Sequence, residues 1–343
     1  MSTAVRTSKT FDFGPLDAVL GFLAGDTLLR ISSGFIRNVM VPIIAIGVFL
    51  VLWSVGAAQV QTSLGQLPGP SKAWEQAVAL YDEHKVERQK EAEFYERVEA
   101  RVEKAIAAGQ PQDRIDRMRE RQYTGKPTFF DQILTSLYTV ATGFLIGSLI
   151  AIPIGIVTGM SQTLYSAMNP IIQVFKPVSP LAWLPLVTMV VSAVYVTDDP
   201  MFDKSFLNSA LTVTLCCLWP TVINTTVGVS SVSKDLINVS RVLRLSWFTK
   251  TVKIVLPSSI PMIFTGLRLS LGIGWMVLIA AEMLAQNPGL GKFVWDEFQN
   301  GSSNSLARIM VAVVVIGLIG YLLDRGMLSL QKHFSWDKNA VLR

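Results

Sequence analysis

Cysteine and histidine are nearly missing from this chain of 343 residues, two of each, and only 16% of its residues are charged. The two cysteines, Cys216 and Cys217, are neighbours inside an apolar run. That placement offers neither a disulfide framework nor the ligand spacing of a zinc site, so they read as small packing residues and no metal is expected. His84 and His333 lie in distant polar segments. There is no Gly-x-Ser-x-Gly nucleophile elbow, and Gly289-Leu-Gly-Lys292 lacks the first glycine and the hydroxyl residue of a phosphate-binding loop. The chain is therefore read as no enzyme, without cofactor, catalytic residue or nucleotide site.

What little charge there is leaves apolar surface in excess. Half the residues are hydrophobic and the mean hydropathy is +0.43, too apolar for an ordinary soluble domain. A net charge of +5 would otherwise invite nucleic acid, but these charges sit in loops between long apolar runs, so lipid is the expected surrounding and no nucleic acid the expected partner. Six runs, at 40–58, 133–157, 178–196, 206–229, 260–284 and 306–323, are long enough to cross a bilayer. The first lacks a small-residue cleavage site and reads as a retained span. The expected architecture is an all-α polytopic membrane protein.

The chain divides by composition. Residues 1–39 carry Arg6, Lys9, Arg30 and Arg37 around an amphipathic stretch suited to lying along the inner face of the bilayer, and 40–58 is the first span. Segment 59–127 turns at Leu67-Pro-Gly-Pro70 and then becomes polar, with twelve Lys/Arg against twelve Asp/Glu over 60–127. Two apolar stripes run through it, Trp74, Ala77, Val78 and Tyr81, then Phe94, Val98, Val102 and Ile106. Glu93 with Arg97 and Asp113 with Arg117 are spaced for pairing on a helix. Two or three exposed helices follow, broken near Gly109-Gln-Pro111. They serve as a solvated hairpin or as a contact surface for a partner. A core at 128–330 holds the other five spans, and a tail at 331–343 follows. Residues 229–257 carry five Lys/Arg against Asp235, and the loop at Asp198, Asp199 and Asp203 is acidic, which places both chain ends and the basic loop in the cytoplasm.

The basic loop, Asn238 to Pro257, reads as an amphipathic helix. Ser231 or Ser233 can cap it, Asp235 suits its positive end, Leu236, Val239, Val242, Leu243 and Leu245 recur at helical spacing, and Pro257 marks a break. By its residues alone it is an interfacial helix anchored by Arg241, Arg244, Lys250 and Lys253. Two ionisable residues fall in the fifth span, and charges there are costly and functional by default. Arg268 either attracts an anion on a pathway or caps carbonyls of a neighbouring helix, whereas Glu282 suits a structural or gating role. Fourteen residues, roughly 21 Å of helix, keep them from pairing with each other. Gly143-Phe-Leu-Ile-Gly147 and 153–159 are expected to pack helices closely.

The loop resembles the cytoplasmic loop of ABC importer permeases, whose motif runs Glu-Ala-Ala, then Gly after three further residues, and ends in Leu-Pro. It maps onto Asn238-Val239-Ser240, Arg244 and Leu256-Pro257, with Asn for Glu and Arg for Gly. The resemblance extends from about residue 129 to the tail through Leu134-Thr-Ser-Leu137, Pro177-Val-Ser-Pro-Leu-Ala-Trp-Leu-Pro-Leu186, Leu218-Trp-Pro-Thr-Val-Ile-Asn-Thr-Thr-Val-Gly228, Thr265-Gly-Leu-Arg-Leu-Ser-Leu-Gly272 and Ala280-Ala-Glu-Met-Leu284 with Gly289-Leu-Gly291. It is closest to the branch serving nitrate, sulfonates, taurine and bicarbonate, and Trp275 to Trp295 is most similar to nitrate permeases. The resemblance implies the type I importer permease fold with 59–127 as a periplasmic insertion, in a bacterial inner membrane. It implies a second copy of the chain, two ABC ATPase subunits coupled through Asn238, Val239, Ser240, Arg241, Leu243, Arg244, Leu256 and Pro257, and a periplasmic binding protein. The implied cargo is nitrate or nitrite, with taurine or another sulfonate, bicarbonate and cyanate as alternatives. An ion-coupled secondary transporter would call for repeated halves and midplane titratable residues, and a membrane assembly protein would leave the loop unexplained.

Overall fold

A computed structural model describes residues 39–62, 65–196, 201–302 and 304–334. The expectations for 1–38, for Asp198 and Asp199, and for the tail beyond Phe334 lie outside those residues. The chain forms two compact units, Met1–Pro70 and Ser71–Arg343.

In the first unit, α1 (Val41–Gln59) is apolar all round, as a lipid-facing span requires. Its end is closed by a small antiparallel hairpin, β1 (Gln61–Thr62) with β2 (Gly65–Gln66). The Gln66 side chain donates to the Ala58 carbonyl at 3.2 Å, and Trp53 Nε1 donates to the Pro68 carbonyl at 3.2 Å. Carbonyls that a helix end leaves without partners are thus partly satisfied.

The second unit opens with a long helix, α2 (Pro70–Ala107), and a short one, α3 (Gln112–Arg119). The break falls where expected, at Gly109 in the left-handed region (φ +64) and at Pro111. Phe94, Val98, Val102 and Ala105 pack on Ile115 and Met118, so Ala105 takes the place expected of Ile106, which is exposed. The other apolar stripe is not the buried face of the helix: Ala73, Gln76 and Leu80 are buried, and Trp74, Val78 and Tyr81 are exposed. Glu93 pairs with Arg97 at 3.8 Å, whereas Arg117 donates to the Asp113 backbone carbonyl instead of its carboxylate. The Tyr123 hydroxyl donates to Glu87 at 2.7 Å and holds that carboxyl below its ordinary range.

Helices of varied length follow: α4 (Phe129–Met160), α5 (Gln162–Phe175), α6 (Pro180–Val194), α7 (Lys204–Ser230), α8 (Lys234–Val242), α9 (Trp247–Lys250), a π turn (Thr251–Val255), α10 (Leu256–Ala285), α11 (Leu290–Asn300) and α12 (Ser305–Phe334). Among the described residues, five helical stretches are long and apolar enough to cross a membrane, six if the bent pair α5 and α6 counts as one. That pair is where the expected span 178–196 falls. α6 has 15 residues, too few to cross alone, and it meets α5 at a 98° bend. Pro177 and Pro180 lack the N–H groups that would continue α5, and Ser179 caps the new helix on the Leu181 amide. α12 also continues to Phe334, so the start of the expected tail is helical.

Close approach of α4 and α7 builds the centre of this unit. Gly143, Gly147, Gly155 and Gly159 face α7, and a Cβ at Gly143 would sit 2.5 Å from the Ala210 carbonyl oxygen. Thr214 and Thr226 of α7 donate to the Gly143 and Gly155 carbonyls. α10 closes the other side of α7, where Ser270 donates to the Cys217 carbonyl at 2.6 Å and meets Thr221 at 2.6 Å. These are the small-residue and hydroxyl contacts that hold helices together where lipid removes the hydrophobic drive.

Candidate functional site

The basic loop folds as two helices, not one. Ser233 accepts from the Leu236 amide to cap α8, and Asp235 occupies the first turn. After Val242 the chain turns. The Arg244 amide donates to the Arg241 carbonyl and the Leu245 amide to the Ser240 carbonyl, both at 3.0 Å. Those are the two bonds of a Schellman motif, which needs a left-handed residue at its centre. Arg244 supplies it with φ +48, at the position where the resembling motif has glycine.

Ser246 then caps α9 through the Thr249 amide, and the chain runs through the π turn into α10 without stopping. Pro257 was expected to break the helix. It lies in the first turn of α10, where a missing N–H costs nothing in an isolated helix, and the wider π turn just before it absorbs the ring. Trp247–Ala285 is therefore one helical stretch of 39 residues.

The loop presents an apolar surface outward. Val242 is 82% and Phe248 70% exposed, with Leu236, Val239, Leu243 and Trp247 also open. Ser240 is buried and donates to the Ile237 carbonyl, so of the three residues aligned with Glu-Ala-Ala it faces inward. Where the loop leaves the bundle, Thr251 donates to Met160 at the end of α4, and Gln331 of α12 donates to the Pro261 carbonyl. The other end of the bundle is tied by Asn287 to Ser209 and by Ser136 to Glu282. The 70–127 hairpin joins that far end, through Arg88 to Asp131 and Arg308 to Glu83, so loop and hairpin occupy opposite ends.

Both intramembrane charges are partnered. Arg268 donates from Nε and Nη2 to the two carboxylate oxygens of Asp324 at 3.0 Å each, clamping α10 to α12 by a bidentate pair. Among the described residues it caps no carbonyl. A cavity of about 40 Å³ lies beside the pair, lined by Leu271, Gly272, Trp275, Gly320 and Leu323. Glu282 is fully buried. Ser136 Oγ donates to its two oxygens at 2.8 and 2.9 Å, the Gly291 amide donates at 2.9 Å, and Ser136 in turn accepts from the Leu290 amide at 2.9 Å. Glu282 and Ser136 together cap α11 from two other helices.

Asp324 and Ser136 were not singled out from sequence. Asp324 had one signal, a lone acid at the end of an apolar run, and Ser136 sat inside a quoted motif without a visible role. The Arg308 cluster was missed as well. Its guanidinium reaches Glu297 at 3.2 Å and also Glu83, and Ser305 donates to Glu297 at 2.8 Å. Among the described residues no three His, Cys, Asp or Glu side chains converge in a metal-binding arrangement.

Comparison with known proteins agrees with this geometry. Residues 151–334, more than half of the chain, match the family described as binding-protein-dependent transport system inner membrane component. The nitrate import permease protein NrtB of Synechococcus elongatus is 38% identical over 194 residues, 57% of this chain and 66% of that protein. The bicarbonate transport system permease protein CmpB of Synechocystis is 40% identical over 204 residues, 59% and 68% of the two chains. The matched region thus spans about two thirds of these relatives' length. In fold, an inward-facing structure of the MetNI methionine ABC transporter superposes with a TM-score of 0.52 at 13% identity, covering 60% of this chain and 96% of that one. With sequence, helix order and fold in agreement, this chain belongs to the family of inner-membrane permease components of binding-protein-dependent, ABC-type transport systems.

Proposed function

We propose that this chain forms the translocation pathway of an ATP-driven importer for a small inorganic anion, nitrate or nitrite first, in a bacterial inner membrane with both chain ends inside. The exposed apolar surface of α8 and α9 carries the reading. Val242, Leu243, Trp247 and Phe248 stand exposed next to Arg241 and Arg244, and a partner cleft that covers them accounts for the surface. The partner is an ABC ATPase pair that supplies the energy, with the loop as the coupling element. A second copy completes the pathway. A periplasmic binding protein delivers the cargo.

Bicarbonate is the second reading, supported by the CmpB relative at 40% identity. Labelled nitrate uptake into proteoliposomes holding the chain, its ATPase and its binding protein distinguishes the readings when bicarbonate and taurine are added as competitors. ATP-dependent accumulation that resists both establishes nitrate, and competition by one of them reassigns the cargo. Uptake indifferent to ATP would reject the importer mechanism itself.

A further inference from the structure

We infer that the flank of α2 bearing Trp74, Val78, Tyr81 and Lys85 lies in the headgroup layer of the membrane, making the base of the charged hairpin a lipid-binding surface. Placement is the first argument. The Tyr81 ring meets Phe130 edge-on at 6.0 Å, His84 bonds Thr128 at 2.7 Å, and Arg88 reaches Asp131 at 3.1 Å, all at the first turn of span α4. Arg308, in the first turn of span α12, holds Glu83 and, at 3.4 Å, Gln76. Two membrane helices thus fix this half of α2 at the level where their apolar segments meet water.

Chemistry is the second argument. Trp74, Val78 and Tyr81 follow one another at one-turn spacing, and Trp74 is 73% exposed. Lys85 sits over the Tyr81 ring, 4.4 Å from its centroid. Tryptophan and tyrosine have an apolar body and a polar tip and concentrate at headgroup level, where a lysine stem can lie along them with its ammonium on lipid phosphate. Of the carboxylates in this stretch, Glu83 turns to Arg308, and Glu75 and Asp82 border the flank on one side, three and four residues from Val78. Farther along, the hairpin turns Val98, Val102 and Ala105 inward onto α3, so the aromatic flank is confined to the part held at the membrane.

The test is spin labelling of the full chain with its ATPase partner in vesicles of phosphatidylethanolamine and phosphatidylglycerol. Labels enter one at a time through Trp74→Cys, Val78→Cys, Tyr81→Cys, Glu75→Cys and Asp82→Cys, with the buried Cys216 and Cys217 leaving the background silent. Collision with oxygen should exceed collision with a water-soluble nickel chelate at 74, 78 and 81, and the order should reverse at 75 and 82. Nickel dominance at 74 and 78 overturns the inference in favour of open water. Low access to both reagents assigns a second copy, and loss of access only after addition of binding protein assigns that partner. The unmodified chain in nanodiscs gives an independent reading. Hydroxyl-radical oxidation of Trp74 should fall below that of Tyr95, although Tyr95 is only 41% exposed, and oxidation in the order of exposure would overturn the proposal.

Discussion

Arg244 shows how one residue can fill a conformational role its chemistry does not favour. An L-residue in the left-handed region is strained by about 1 kcal/mol or somewhat more, and glycine is not. Arg244→Gly should therefore stabilise the chain by about 1 kcal/mol in detergent melting while ATPase co-purification persists; a lowered melting point would count against the Schellman assignment. Ser136 is the opposite case, a small residue with three hydrogen-bonding duties. Ser136→Ala leaves the Leu290 amide and part of the buried Glu282 carboxyl without partners, with an expected loss of about 2 kcal/mol in thermal or chemical unfolding. At Gly289, φ is +145 and a Cβ would lie 2.2 Å from the Glu282 carboxyl carbon, so Gly289→Ala should cost more than Ser136→Ala in the same assay. The intramembrane charges themselves were legible in the sequence because each interrupts an apolar run. Their partners were not, since Arg268 finds Asp324 across 56 positions and Glu282 finds Ser136 across 146, separations that no local pattern records.

Among the elements, most helices were legible from apolar runs and breakers, and what escaped was how those breakers are used. Pro257 read as a stop but is absorbed by the π turn, whereas the true stop in the loop is made by an arginine in a glycine's conformation. The 178–196 run read as a full span because hydropathy does not register the 98° bend at Pro177 and Pro180. Helical spacing identified an apolar stripe on α2 without telling whether a neighbour covers it, and Trp74, Val78 and Tyr81 are exposed. In the loop proposed as the coupling element, Leu243 is exposed at the helix end. Leu243→Asp is expected to leave folding intact, reduce ATP-dependent uptake at least tenfold and leave ATP hydrolysis uncoupled from transport; unchanged coupled uptake would remove the loop from the mechanism. For the hairpin, Arg308→Gln would free α2 from the start of α12 and leave Glu297 buried with only Ser305, costing about 2 kcal/mol. Hydrogen exchange should accelerate over 73–88 and remain unchanged over 98–107, where α2 packs on α3; uniform exchange would show that Arg308 does not hold the helix.

At the scale of the whole molecule, the ties at each end of the bundle set the loop and the hairpin on opposite sides. An importer must pass a signal between such sides, and the 39-residue stretch from Trp247 to Ala285 joins them without a break. One further property belongs to the four glycines of α4. Backbones held so near each other cannot slide past one another without collision, so α4 and α7 have to travel as a single rigid plate. Any alternation between states must then take its motion from other helices, with the α4–α7 contact carried along unchanged.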